Sequence, residues 1–401
     1  MAASDSSTRD TDHLWQSRLV RIGEAEYPYH YGVDCLDEIG QALSTMDADR
    51  FVVVTDDTVL ALHGEALLSR LRPLGPVEVY SGPPGESLKS PSNLTECAEF
   101  CLAKGATRRT VIVAFGGGVP GNLAGLVAAL LFRGIRLVHV PTTTVAAMDS
   151  TLSIKQAINS SLGKNHLGTY HSPDAVFTDV RLLATLPERE LRSGLCEAAK
   201  NCLAIRPEAM THLRAVVDED RLSDTDSMLW LLEESIAAKM EVTAEDTEER
   251  RRGLVLEYGH TVGHAVELAD HRRRGSEGLS HGAAIAFGMV VAAHLSRRLG
   301  WLTDADVALH EETAAALGAP TRTPEWLSIS EIMTVVRDDN KRGYLPPSPG
   351  SLPLVLLRQL GVPAGAPDLP LVMVRLDEVE SVLHELMSAP AALRTTPAVV
   401  R

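Results

Sequence analysis

An apolar run, Thr110–Phe115, enters three consecutive glycines, and the chain then continues into a second apolar stretch at Asn122–Phe132. The junction, Phe115-Gly-Gly-Gly-Val-Pro-Gly-Asn122, demands a buried strand that turns sharply into a helix. Glycines there let backbone N–H groups come close to an anion, and the following helix turns its positive end toward it. Gly116, Gly118 and Gly121 satisfy the G-x-G-x-x-G spacing. The acid that normally ends the next strand is missing, because Arg136–Pro141 runs into Thr142 and Thr143. Two readings stand at this point: an unusual nucleotide site, or simply a tight strand-to-helix turn.

The surrounding pattern sets the fold class. Phe51–Thr55, Arg136–Val140 and Ala175–Asp179 are further short apolar runs with helix-like segments between several of them. That rhythm predicts a parallel sheet covered by helices. From about Glu188 the pattern becomes mostly helical, as in Leu229–Glu241, Val255–Ala269 and Ala283–Leu299. The expected organisation is a flexible N-terminus (1–15), an α/β domain (16–187), a helical domain (188–387) and a loose tail (388–401). The expected active site is a cleft between the two domains. Hydrophobic residues make up 45% of the 401, enough for a sizeable aliphatic core. A formal net charge of −15 repels nucleic acid and anionic membranes. An anionic substrate would therefore need a local basic pocket. The five cysteines show no disulfide spacing and fit a reducing compartment. No run is long and apolar enough for a membrane span, and Met1–Asp12 lacks the apolar stretch of a signal peptide.

Chemistry-bearing residues cluster in four places. Asp149, Lys155, Lys164 and Asn165 lie in one polar stretch, where cations beside amides suit phosphate oxygens; a solvated loop is the plainer reading. Glu197 and Lys200 are three apart on a helical pattern, as an ordinary surface ion pair would be. Tyr258-Gly-His260-Thr-Val-Gly-His264 puts two histidines on one helix face, and Ser280-His281-Gly282 opens another apolar helix. Two or three histidines with a carboxylate make an open catalytic metal set, and helix packing is the alternative.

In order and spacing these motifs resemble the dehydroquinate synthase-like sugar-phosphate cyclases, over roughly residues 24–386. The resemblance implies an N-terminal Rossmann-like domain that binds NAD and a helical domain that supplies much of a divalent metal site, cobalt or zinc. It implies metal ligands at Glu197, His260 and His281, with His264 in substrate binding and proton transfer; Glu257, a titratable group within reach of metal-bound oxygens, is a second candidate proton shuttle. It places Lys155, Asn165 and Lys341 at phosphate- and substrate-binding positions, and Lys200 and Lys239 at other substrate-contacting ones. Arg133 matches an arginine that reaches the neighbouring subunit's phosphate site, which implies a homodimer. Asp56, Glu86, Lys89, Gly116, Gly117, Gly118, Asn122, Thr142, Thr143, Asp149, Lys164 and Thr185 match cofactor positions.

Three details resemble a branch of the family that acts on glucose 6-phosphate in aminoglycoside biosynthesis, in a bacterial cytoplasm. They are Lys155-Gln-Ala-Ile-Asn159, Glu257 within Leu256–His260, and Asn122 after the glycines. Gly253 stands where dehydroquinate synthases carry an arginine for a substrate carboxylate, a group that glucose 6-phosphate lacks. Other features depart from the pattern: Ala283 after His281-Gly282, and the basic, insertion-like stretch Asp270–Glu277. Gly168–Pro173 is closer to valiolone-type cyclases, which use sedoheptulose 7-phosphate. Besides that enzyme, the alternatives are a metal- and NAD-dependent alcohol dehydrogenase and a non-catalytic NAD-binding regulator.

Overall fold

The computed structural model describes residues 15–388 apart from 162, 220, 223, 340 and 342. The expected flexible N-terminus and loose tail, except Trp15 and Ser388, lie outside the described residues. The chain divides into two compact units, one running to Leu254 and one starting at Val255.

The first unit is built on a seven-stranded sheet. Its strands are β1 (Gln16–Ile22), β2 (Ala25–Gly32), β3 (Phe51–Asp56), β4 (Val77–Gly82), β5 (Val111–Gly116), β6 (Arg136–Pro141) and β9 (Ala175–Asp179). Between β6 and β9 the chain makes a separate antiparallel hairpin, β7 (Lys155–Ser160) and β8 (Gly163–Tyr170). The sheet order is β1-β2-β9-β6-β5-β3-β4, parallel throughout except for the β1–β2 pair. The helices of this unit are α1 (Leu36–Ser44), α2 (Asp57–Leu71), α3 (Pro91–Ala103), α4 (Gly118–Leu130), α5 (Val180–Leu183), α6 (Glu188–Ala204), α7 (Met210–Asp218) and α8 (Thr225–Thr243).

The central strands read as nearly unbroken apolar runs because helices cover both faces of the sheet. Alternate residues of β3 and β5 accordingly enter two separate cores. Val52, Val54, Ile112 and Ala114 pack with Cys97, Cys101, Leu123 and Val127, whereas Val53, Val111, Val113 and Phe115 pack with Ile39, Leu43 and Leu67. A fully buried Val, Leu or Ile contributes about 1.5–3 kcal/mol. The five cysteines are buried and free, so Cys97 and Cys101 are core residues. Helix α4 starts at Gly118, earlier than the apolar periodicity suggests. Gly116 turns the chain at φ 146°, and a Cβ there would stand 2.5 Å from Pro120 Cγ. From Lys155 onward, the polar stretch that could have been a solvated loop is the β7–β8 hairpin, whose Ile158 is buried in the core between α3 and α4.

The second unit holds α9 (His260–Arg274), α10 (His281–Arg298), α11 (Asp304–Ala316), α12 (Ile329–Val336) and α13 (Leu376–Ser388). Two small strand pairs, β10 (Ser351–Leu354) with β13 (Val372–Arg375) and β11 (Leu357–Gln359) with β12 (Val362–Pro363), accompany them. Helical periodicity alone does not announce these strands, because two to four residues are too few to establish a period. The expected helix Val255–Ala269 is displaced toward the C-terminus: Arg252–Glu257 forms a 3-10 turn, Gly259 adopts φ 80°, and the α-helix runs from His260 to Arg274. Helix α10 is buried almost throughout, Ala284–Ser296 without a break.

Helices α9 and α10 meet backbone to backbone. A Cβ on Gly288 would fall 1.9 Å from Gly259 O and 2.8 Å from Gly263 N. Neither neighbour is a side chain that can swing aside, so the helices must separate to admit even a methyl group. Gly288→Ala is therefore expected to cost about 3 kcal/mol. Urea denaturation of the variant beside the parent checks this; an unchanged midpoint would show that the helices part freely.

Candidate active site

Three carboxylate–lysine pairs come together in the first unit. Asp149 lies in a π-helical turn, Ala146–Ser150, a geometry common at functional sites. Its Oδ1 is 2.9 Å from Lys239 Nζ on α8. Glu197 and Lys200, one turn apart on α6, pair through Oε2 and Nζ with both side chains buried, so this is no surface ion pair. Lys155 Nζ, at the start of β7, donates to Glu249 Oε2 at 2.7 Å, and Ser153 Oγ donates to Glu249 Oε1 at 3.1 Å. The pairs also act on one another. Burial alone would raise the Asp149 carboxyl; Lys239 and then Lys200 outweigh it and hold it below the ordinary carboxylate range. Burial opposes charge on Lys239 too, but Asp149 and Glu249 keep it firmly protonated.

Glu249 was not singled out from the sequence. It sits in the acidic run Glu245–Glu249, which reads as a solvated surface. The signal that places it is structural: a buried carboxylate at φ 52° between two cations. Burial would raise its carboxyl, and Lys155 followed by Lys239 hold it low. A carboxyl depressed in the folded state stabilises above its unfolded value, about 4.3. That contribution is lost as pH falls through the folded value. Glu249→Gln should lower stability at neutral pH and flatten its decline below about pH 4.3. Denaturant midpoints measured from pH 7 downward test this, and parallel curves for parent and variant would reject it.

The residues matched to cofactor positions fall into distinct groups. Asp56 closes β3 and caps α2, with Oδ1 accepting from Thr58 N and Val59 N at 3.0 Å. Thr142 N donates to Gly116 O at 3.0 Å, and Thr143 lies against Gly117. Helix α4 has no side-chain cap at Gly117, so its first-turn N–H groups suit an anion. That is the fit expected of a pyrophosphate cradle. Asn122 ties α4 to β7, donating to Gly118 O and accepting from Ala157 N, both at 2.9 Å. Around Asn159 a second group forms. Glu86 Oε2 accepts from Asn159 Nδ2 at 2.6 Å, Lys164 Nζ is 3.6 Å from Glu86 Oε1, and Lys89 Nζ donates to Asn165 Oδ1. Asn165 and Lys164 thus stand with the Glu86–Lys89 group, while Lys155 joins Glu249. Thr185 lies apart, with its Oγ1 2.9 Å from His63 Nε2. Arg133 is exposed in a turn at φ 69° after α4.

In the second unit His260 and His264 share a face of α9, and His281 opens α10. One ring nitrogen from each lies within 4.8 Å of the others. Three converging imidazoles are a donor set that suits zinc or cobalt. Burial, then His260 and His281, push the His264 imidazole down to about 3, so it stays neutral. His260 Nδ1 donates to Tyr258 O at 3.2 Å. Tyr258 is held in turn: His310 Nδ1 donates to Asp306 O at 2.7 Å, so His310 Nε2 accepts from the Tyr258 hydroxyl at 3.0 Å. Glu257 Oε2 is 3.2 Å from Lys341 Nζ, and Asp339 lies at the same distance on the other side of that buried lysine. The basic stretch after Asp270 forms the last turn of α9, where positive charge suits the helix end. Asp270 accepts from Leu279 N at 2.6 Å and from Trp326 Nε1 at 2.8 Å, which fixes the approach to His281.

Comparison with known proteins gives the family. Family models described as 3-dehydroquinate synthase N-terminal and C-terminal match residues 79–193 and 194–342. A 2-deoxy-scyllo-inosose synthase of Streptomyces kanamyceticus is 46% identical over 386 residues, 96% of this chain and 98% of that protein. A crystal structure of a 2-deoxy-scyllo-inosose synthase complexed with carbaglucose-6-phosphate, NAD+ and Co2+ superposes with TM-score 0.86 at 34% identity, covering 93% of this chain and 100% of the other. A 2-epi-5-epi-valiolone synthase from Streptomyces hygroscopicus, with NAD+ and Zn2+ bound, gives TM-score 0.78 at 25% identity, over 92% of this chain and 99% of that one. Together, the glycine turn, the histidine cluster and kinship along nearly the whole length place the chain in the dehydroquinate synthase-like sugar-phosphate cyclase family, among the 2-deoxy-scyllo-inosose synthases.

Proposed function

We propose that the protein converts glucose 6-phosphate to 2-deoxy-scyllo-inosose and inorganic phosphate, with NAD as a transient oxidant and a divalent cobalt or zinc ion. The carrying observation is 46% identity to a 2-deoxy-scyllo-inosose synthase along 96% of the chain. When bound, NAD supplies reversible hydride exchange at C4 of the sugar, and the ion supplies Lewis acidity toward its hydroxyls.

In this reading Glu197, His260 and His281 hold the ion. Gly116–Gly118, Asp56, Glu86, Lys89, Asn122, Thr142, Thr143, Asp149, Lys164 and Thr185 serve the cofactor. The division of labour then falls near Pro187, with the cofactor set before it and the metal set after it. Lys155, Asn165, Lys341 and Arg133 hold the phosphate by charge-assisted bonds. Lys200 and Lys239 bring further positive charge to the substrate. Neutral His264 accepts or returns a proton at a ring nitrogen, and the Glu257 carboxylate, paired with Lys341, is the second proton carrier. A ketone at C4 acidifies C5–H, so phosphate can leave C6. After C4 is reduced again the ring opens, and the enol carbon at C6 attacks C1. The binding residues hold both ends of the chain in reach for that aldol closure. Arg133 extends to the phosphate site of a second copy, which makes the enzyme a homodimer. The product belongs to aminoglycoside biosynthesis in a bacterial cytoplasm.

The test is phosphate release from purified protein with NAD and cobalt or zinc. Glucose 6-phosphate should release phosphate without net NADH. Release from sedoheptulose 7-phosphate instead would favour a valiolone-type cyclase, the reading that Gly168–Pro173 supports. Net NADH would point to a dehydrogenase, and no turnover of any sugar phosphate would remove the proposal.

A further inference from the structure

Helix α9 carries a third polar residue on its histidine face. His260, His264 and Glu267 are spaced i, i+4 and i+7, which brings them back to one stripe after two turns. Glu267 is 3% exposed, a position a carboxylate occupies only when its charge is matched. Its Oε2 lies 3.2 Å from His281 Nδ1 on the next helix. An imidazole whose Nδ1 donates to a carboxylate is fixed in ring orientation and tautomer, and Nε2 becomes the more basic nitrogen. His260 is oriented the same way by a weaker partner, the Tyr258 carbonyl.

We propose that Glu267 is a positioning residue for the metal: its carboxylate holds the Nδ1 proton of His281 and so presents Nε2 to the ion. The inference rests on the reading of His260 and His281 as ligands. Three further features favour orientation over a mere tie between helices. His281 is the first residue of α10, where no preceding helical turn restrains its ring. Ser280 Oγ accepts from Ala283 N at 3.4 Å and Asp270 holds Leu279 N, so the backbone at His281 is already fixed without Glu267. What Glu267 adds is the angle of the ring. The carboxylate also adds to that of Glu197 a second negative charge against a divalent ion, which two neutral imidazoles do not supply.

The experiment measures Co2+ affinity of the full chain by competition with a chromophoric chelator, together with the visible cobalt spectrum. Glu267→Gln keeps the shape and an acceptor oxygen but removes the charge, and Glu267→Ala removes both. Both metal-free variants are first matched to the parent by circular dichroism, and the isosteric glutamine serves if the alanine protein fails to fold. Affinity should fall about ten- to hundredfold in the alanine variant and less in the glutamine variant, with altered cobalt bands in each. A purely structural tie would leave the bands and the affinity of Glu267→Gln unchanged, and that result overturns the proposal. His260→Ala is the control. If it also binds cobalt like the parent, the metal-site reading fails first and takes this inference with it.

Discussion

His260→Ala should leave the purified protein with background levels of divalent metal and should slow phosphate release from glucose 6-phosphate at least about a thousandfold. Removing a Lewis acid from a reaction that develops charge on oxygen costs several kcal/mol, and about 4 kcal/mol is a thousandfold in rate. The imidazole is held by a backbone carbonyl at 3.2 Å, at the start of a helix packed backbone to backbone on Gly288. Metal analysis and a phosphate assay on the same preparation check the result. His264→Ala separates two roles that the geometry alone permits, since all three imidazoles converge. Retained metal with lost turnover marks His264 as a proton carrier. Loss of metal equal to that in His260→Ala makes it a ligand.

Lys155→Ala should lower kcat by about a hundredfold to ten-thousandfold, the range for losing a positioned acid–base or charge-stabilising group. Lys155 is the cationic end of the array that Glu249 and Ser153 hold at the start of β7. Arg133→Ala should also be impaired, and the two defects should complement each other. If Arg133 serves the neighbouring subunit, a mixed dimer of the two variants has one site with both lesions and one site with none. Random reassociation makes half the dimers mixed, so about a quarter of the parent activity should return. Subunits unfolded together and refolded as a mixture provide the measurement. No recovery above the sum of the separate variants would place Arg133 in its own subunit's site or outside any site.

The sheet was legible because its chemistry is local. Val52, Val53 and Val54 or Val111, Ile112 and Val113 can only be strand interior between two helical layers, and the glycines after Phe115 mark where the chain reverses. The histidine pair was equally plain, since i, i+4 spacing on a helix leaves little freedom. Residues whose role depends on long-range contact were not legible. Glu249 looks like surface acid until the fold brings Lys155, 94 positions away, to within 2.7 Å. Asp339 is hidden for the same reason, being an ordinary loop acid until Lys341 folds back beside it. Glu267 was in plain view two turns beyond His260, but nothing in the sequence says that His281 will close over it. The hairpin from Lys155 to Tyr170 escaped because β8 is exposed and polar, without the alternation that betrays a half-buried strand.

The bond from Leu279 N to Asp270, with His271 Nε2 donating to Leu279 O at 2.9 Å, closes the chain between α9 and α10 into a bight tied at its neck. Chain length inside such a bight is mechanically silent. Residues added between Gly275 and Gly278, beyond the end of α9 and its Arg273–Glu331 pair, would lengthen an outer arc while His281 keeps its station. This makes the turn after α9 a suitable place to graft a reporter or an affinity handle, provided the knot at Asp270 is left alone.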